Sequence, residues 1–422
     1  MKAYKKTLPN GLRIITIPMK DTSTATVYVL VDAGSKYEAK NENGISHFLE
    51  HVCFKGTEKR PRSIDINMEF DSIGAQSNAF TSQEFTGYFA KAQAKNLPKI
   101  MDVLSDIYLH STFPKEEVEK ERGVIIEEIN MYEDLPQKKV HDFYDELLHG
   151  DQPAGWPIIG SKAVVSAMTA EKIRAYRQKH YVASATTVVV AGKVKESEVV
   201  ALVKKSFKDI PTSKKHPKQK VAEKQTKPAI RIAKKEIEQS HIIVGVRTFG
   251  VNDKRATKLA LLSTVLGEGM SARLFQKLRE DLGMAYYVRS SVEDYTDHGS
   301  LAVSAGVDTS RVAEAVEAIV GEFKKLRDTL VSKEELEKAK EFSIGNMYLG
   351  LETSDSLAGY YGIQELLRKK LESPQELERR IRAVTPKDIQ KVAQDIFKNE
   401  KLNFVIVGKS PEAKVLQKVL KL

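Results

Sequence analysis

The chain has 422 residues, enough for two to four domains at about 100–200 residues each. With 41% hydrophobic and 29% charged residues it reads as globular, not disordered or fibrous. The net charge of +10 is uneven: residues 211–228 hold six Lys and one Glu, half of the excess, which argues against a uniformly basic nucleic-acid-binding surface. In chain order, residues 12–18 and 25–32 read as strands, bounded by turn signals at Asn10-Gly11 and Ala33-Gly34. Residues 44–54 (GISHFLEHVCF) are apolar and free of Pro, which suits a buried helix. A strand is predicted over 85–92, then a helix with Leu97, Ile100, Met101, Leu104, Ile107 and Tyr108 on one face. Pro114, Glu116 and Glu117 open a helix running to about Glu133. Thr169 fits an N-cap for a helix ending near His180, and Thr186–Ala191 reads as a buried strand.

The second half repeats this plan. Thr169, Ile173, Gly192 and Lys193 recur at an offset of 216 as Thr385, Ile389, Gly408 and Lys409. KEEVEK at 115–120 recurs as KEELEK at 333–338, offset 218, and TGYFAKA around Gly87 resembles HGSLAVSA around Gly299, offset 212. Such ordered offsets predict a tandem duplication: an α+β domain over 1–210, a basic linker over 211–228 and a second α+β domain over 229–422, each a mostly antiparallel sheet packed with helices. Ser332-x-x-Glu335 predicts a capping box on the second copy's matching helix.

The one cysteine, Cys53, excludes an intrachain disulfide framework and any multi-cysteine zinc or iron–sulfur site, and reads as a small buried hydrophobe. The N-terminal stretch lacks the apolar core of a signal peptide, and no run approaches the roughly 18 apolar residues of a membrane span. A cytoplasmic protein that binds neither membrane nor nucleic acid is expected.

The pentapeptide His47-Phe48-Leu49-Glu50-His51 carries the most chemistry. Histidines four apart on a helix share one face and can both reach a metal. Glu50 lies close enough to act on a water at that metal. The spelling inverts the His-Glu-x-x-His zinc motif, and a third ligand, a carboxylate or His, must come from elsewhere. Two histidines and a glutamate are costly in an apolar helix unless something uses them.

The run GISHFLEHVCFKGTEKRP resembles the active-site helix of the pitrilysin, insulysin and mitochondrial processing peptidase family, the inverzincins. The resemblance extends to EKERGVIIEEINMYED and over essentially the whole chain. It implies a zinc endopeptidase with one Zn2+ per chain, held by His47, His51 and Glu128, the last placed by the family's 76 intervening residues after His51. The adjacent Glu127 is the competing ligand, pointing about 100° away on a helix. Glu50 becomes the general base on the zinc-bound water. Glu121, two turns before Glu128, is expected to support the site, with a plain solvated charge as the alternative.

In the second half, offset 218 maps Glu128 onto Asn346 and Glu121 onto Ala339, so one metal site per chain is expected. There LREDLGMAYYV resembles the family's Arg/Tyr pair, which implies that Arg279 and Tyr286 contact substrate and the developing oxyanion. Tyr287 is the neighbouring alternative. By the same resemblance Asn78, Ala79 and Phe80 contact substrate along an open strand edge, and Phe54 lines the pocket. Core packing is the competing reading for Phe54 and Phe80.

Larger members of that family close a chamber from four such domains. Two domains here imply a homodimer with Arg279 and Tyr286 acting in trans, on short or unfolded peptides. A non-catalytic assembly subunit on the same fold is the alternative.

Overall fold

The four runs read as strands, at 12–18, 25–32, 85–92 and 186–191, all form strands of one sheet. The computed structural model describes residues 2–422. Strands β1 (Tyr4–Thr7), β2 (Arg13–Pro18), β3 (Thr24–Val31), β4 (Gln76–Thr81), β5 (Thr86–Gln93) and β6 (Thr186–Gly192) make one sheet, in the order β1-β2-β6-β3-β5-β4. Strands β7 (Ala229–Ala233), β8 (Gln239–Thr248), β9 (Ala285–Asp294), β10 (Gly299–Asp308) and β11 (Leu402–Val407) make the other, in the order β7-β11-β8-β10-β9. Both sheets contain one parallel pair, β2/β6 and β7/β11, followed by antiparallel neighbours. Beyond the extra β1, the two sheets therefore share one strand plan. The α+β fold is as expected.

Each sheet buries both faces. On the first, Val27, Val29, Val31 and Val188 pack against the helices Ile45–Val52 and Leu97–His110. The opposite face presents Ile15, Ile17, Leu30 and Val189 to Leu357, Ala358 and Tyr361 of the helix Ser354–Arg368. On the second sheet, Ile242, Val244 and Phe404 pack against helices Ala256–Gly267, Val312–Asp328 and Pro386–Ile396. Its other face, with Ile243, Ala302 and Val405, is covered by Val140, Tyr144 and Leu148 of the helix Pro136–His149. A Cβ at Gly245 would lie 2.1 Å from the Tyr144 hydroxyl, so glycine is required under that ring.

These two covering helices depart from the expected contiguous domains. The first compact unit comprises residues 1–130, 156–219 and 349–373; the second comprises 131–155, 220–348 and 374–422. The helices begin at residues 136 and 354, the spacing of 218 seen in the repeat, so each half contributes the same helix to the other half's unit. The physical reason is that a sheet with an apolar second face must cover it.

The basic segment 211–228 lacks regular secondary structure but is not a loose tether. Lys215 Nζ sits 2.6 Å from Asp32 Oδ2, a carboxylate that also meets Arg13 and Lys369. Burial alone would raise the Asp32 pKa, but the charges of Lys369, Lys215 and Arg13 hold it below the ordinary range. Lys218 pairs with the buried Glu84, which Lys36 also contacts. In the second unit, Gln225 accepts from Arg247 Nε and Asn403 Nδ2. Part of the linker charge is thus spent on buried carboxylates.

The predicted helix from Pro114 spans Lys115–Asp134, and Thr169 caps the helix Ala170–His180 through Lys172 N. At the matching helix in the second half, Ser332 Oγ accepts from Glu335 N at 3.0 Å, but the Glu335 carboxylate binds Arg273, so only half of the expected capping box forms. No helix among the described residues is long and apolar enough to cross a membrane.

Candidate metal centre

The helix Ile45–Val52 turns Ile45, Phe48, Leu49 and Val52 into the core, leaving His47, Glu50 and His51 on its half-buried face. At eight residues it is too short to hold itself in water. Its N-cap, Gly44, has φ +96° and no side chain to accept the first helical N–H groups. A Cβ there would meet Ile159 O at 2.6 Å. Glu38 does the capping instead: Oε2 accepts from Gly44 N at 2.8 Å and Asn43 Nδ2 at 3.0 Å, and Oε1 accepts from Ser46 N at 2.8 Å. The Ser46 hydroxyl, in turn, lies 2.8 Å from the Tyr176 hydroxyl.

Helix Lys115–Asp134 brings Glu128 to this face. His47 Nε2 and His51 Nε2 each lie 3.7 Å from Glu128 Oε2, and one ligand atom from each of the three residues lies within 4.8 Å of the others. A separation of 3.7 Å is too long for a hydrogen bond. It is close to the ligand–ligand spacing of about 3.3 Å around tetrahedral zinc with bonds near 2.0–2.1 Å. Glu127 is exposed and accepts from Asn130 Nδ2, so the carboxylate in the cluster is that of Glu128.

Glu121 is buried, with Oε1 2.8 Å from His51 Nδ1 and Oε2 2.6 Å from Lys55 Nζ. Burial would raise its pKa, but the hydrogen bonds from His51 and Lys55 keep it below the ordinary carboxylate range. An anion at Nδ1 places the proton there and turns the Nε2 lone pair toward Glu128. His47 lacks such support: its buried Nδ1 has no hydrogen-bond partner, and burial, with the neighbouring His51, pushes its pKa down to about 3. A neutral imidazole with a bare Nε2 suits a metal ligand. Burial raises the Glu50 pKa, opposed by a hydrogen bond from Thr81 and by the charge of His51.

Strand β4 lies at the end of its sheet beside this helix, one edge paired to β5 and the other open. Asn78 is exposed and Ala79 packs against the core on the helix side. Phe80 turns the other way, its ring packed with Tyr28 and Phe85 at centroid distances of 6.2 and 6.0 Å. For its side chain the core reading prevails over substrate contact, because alternation along a strand sends neighbours to opposite faces. Phe54 is half-buried near Tyr88 at 6.2 Å. Cys53 is fully buried against the Tyr88 hydroxyl, with its thiol pKa raised by burial, the behaviour of a packing residue.

In the second unit, a π-helical turn over Phe275–Asp281 carries Arg279, whose Nη1 donates to Tyr286 O at 2.7 Å. Tyr286 is 68% exposed at the start of β9, whereas the Tyr287 hydroxyl lies 3.1 Å from His241 Nδ1. The free phenol of this pair is therefore that of Tyr286. In the helix Lys333–Leu349, Ala339 is buried and Asn346 donates to Phe342 O, so the second copy has no counterpart of the Glu121 and Glu128 carboxylates.

Residues 13–162 match the family model of insulinase (peptidase family M16), and residues 167–342 match the peptidase M16 inactive domain. An uncharacterised zinc protease of Streptomyces coelicolor is 35% identical across 93% of this chain and 87% of its own length. One from Bacillus subtilis is also 35% identical, covering 93% and 95%. The chain belongs to the M16 peptidase family. It is a metallopeptidase. A crystal structure of a protease from Helicobacter pylori, 25% identical, superposes with a TM-score of 0.90 over 96% of this chain and 99% of that one. An M16 inactive-domain structure from Pseudomonas fluorescens shares the fold at a TM-score of 0.91, with 15% identity over 97% and 99% of the two chains.

Two residues that build this M16 site carry no motif of their own. Thr81 ends β4, and Glu38 lies nine positions before His47. The available signal for Glu38 was negative: a helix opening at glycine needs an acceptor from elsewhere.

Burial pushes the Glu38 carboxyl up to about 7 despite its three N–H donors. A raised acid pKa contributes stability that is complete below the unfolded value of about 4.5 and lost as pH rises through about 7. Denaturant titrations of wild type and Glu38→Gln at about pH 5 and about pH 8 should show the wild type's advantage shrinking by on the order of 3 kcal/mol. A gap that stays constant with pH refutes this. Separately, Glu121→Gln should weaken divalent-metal affinity about 10–100-fold in chelator competition. Unaltered affinity would remove the support role.

Proposed function

We propose that this chain is a zinc endopeptidase acting on short or unfolded peptides, with one zinc ion per chain held by His47, His51 and Glu128. The observation that carries this reading is the convergence of those three donor sets within 4.8 Å, beside Glu50 and an open strand edge. The Glu121-anchored ring of His51 and the lowered pKa of His47 support a two-histidine, one-carboxylate donor set of the kind zinc takes.

Zinc bound there would supply Lewis-acid chemistry, polarising the scissile carbonyl and making water a better nucleophile at neutral pH. The chain's own groups do the rest. A peptide adds to the open edge of β4, where Asn78 and Ala79 offer backbone partners and Phe54 lines the neighbouring wall. The Glu50 carboxylate accepts the proton of the attacking water and returns it to the departing amine nitrogen. Tyr286 donates its phenolic hydrogen bond to the developing oxyanion, and Arg279 adds positive charge near the substrate backbone.

A further part of the proposal is that two copies close a homodimeric chamber in which Arg279 and Tyr286 act in trans. The exposed phenol of Tyr286 supports this. The shared strand plan of the two sheets supports descent from a duplicated domain that kept the metal site in one copy. A single, buried, unpaired cysteine suits the reducing cytoplasm.

A peptide-panel digest should show Glu50→Gln losing about 10²–10⁴ in kcat while retaining one zinc per chain by elemental analysis. Chelation should abolish wild-type cleavage and added zinc restore it. Equal cleavage by wild type and Glu50→Gln sinks the mechanism. Trans action has its own test: mixing and reassociating Glu50→Gln with Tyr286→Phe should recover activity that neither variant shows alone, since a mixed pair contains one intact site. No recovery from verified mixed dimers would place Tyr286 in cis.

A further inference from the structure

Glu50 reaches the site on a flexible three-torsion side chain, and one contact fixes where its carboxylate stands. Thr81 Oγ1 donates to Glu50 Oε2 at 2.5 Å. The direction of that bond follows from the neighbours. Ionised Glu50 has only acceptors, so the proton belongs to Thr81. The other hydroxyl nearby, Thr86 Oγ1, lies 3.5 Å from Thr81 Oγ1 and donates its own proton to Ala33 O at 2.9 Å. Thr86 is fully buried and pairs with Thr81 across the β4/β5 ladder, so the strand end is anchored. A β-branched threonine in a strand has few side-chain rotamers, which presets the hydroxyl.

Its place in the sheet gives this contact a second meaning. Alternation along β4 sends Ala79 and Thr81 toward the metal-side helix, while Phe80 packs on the opposite face. The backbone of the same strand forms the open edge. One strand thus offers the peptide its edge and holds the base.

We propose that Thr81 is a positioning residue for the general base: it fixes Glu50 Oε2, leaves Oε1 to take the proton of the attacking water, and ties the base to the strand that registers the peptide. This inference rests on Glu50 being the base. Binding of peptide to the edge uses backbone groups and does not need the hydroxyl. Loss of the hydroxyl therefore acts on kcat and spares KM.

The test uses the full-length, zinc-loaded protein and one extended peptide substrate. Thr81→Val should lower kcat about 10-fold or more, with KM and zinc content unchanged, because one well-placed hydrogen bond is worth about that factor. Thr81→Ser, which keeps the hydroxyl, should restore most of the rate. In the Glu50→Gln background, Thr81→Val should cost nothing further, since it acts through the missing carboxylate. Thr81→Ala serves as the second hydroxyl-free variant should valine disturb folding. Wild-type kcat in both hydroxyl-free variants, or an equal loss in the Glu50→Gln background, overturns the assignment while leaving Glu50 as base. A fully active Glu50→Gln overturns both.

Discussion

Glu38 accepts the first backbone N–H groups of an eight-residue helix, and the positions of His47, Glu50 and His51 follow from that capping. A helix of two turns has almost no stability of its own, so every donor left unpaired at its start would be felt. Glycine at the N-cap allows the chain to pass close to Ile159 and Gly160, and it removes the side chain that would ordinarily accept those N–H groups. A buried carboxylate from outside the helix resolves the conflict. Around it the site is layered: Glu121 and Lys55 orient His51, Thr81 orients Glu50, and the Ser46–Tyr176 contact ties the helix to its neighbour. The reacting groups are few, and the groups that hold them still are more numerous.

The metal-side residues were legible because helical periodicity is a strong constraint. Histidines four apart must share a face, and Glu128 could be reached by counting along the family's spacing. The structure brings His47, His51 and Glu128 together and turns Glu127 outward. Glu38 and Thr81 were not legible, since an isolated acid in a loop and a threonine at a strand end look like many others. Phe80 shows a different limit. Its neighbourhood was readable, but the face taken by its ring depends on register, and one step along a strand reverses the side. Tyr286 and Tyr287 divide in the same way, one exposed and the other held by His241.

The contacts of the linker and of the covering helices share one reason for being hidden in the sequence. Composition identifies surplus charge at 211–228 but not the buried Asp32 and Glu84 that Lys215 and Lys218 neutralise. The helices Pro136–His149 and Ser354–Arg368 were not read in the sequence, and nothing local names the sheet each one serves. Long-range partners are what a single sequence withholds. The second copy, with Ala339 and Asn346 at the positions of Glu121 and Glu128, keeps the strand plan because the packing of sheet and helices needs neither carboxylate.

The exchanged helix also sets the order of events during synthesis. The unit with the candidate metal site includes residues 349–373, although His47, His51 and Glu128 are all in place by residue 128. While the ribosome is still translating the second copy, the residues that cover one apolar face of the first sheet have not been made, and a sheet formed early would keep it bare. Only when Leu357, Ala358 and Tyr361 have emerged can that face close. A unit built this way completes the packing around its candidate metal site only after most of the chain has been made.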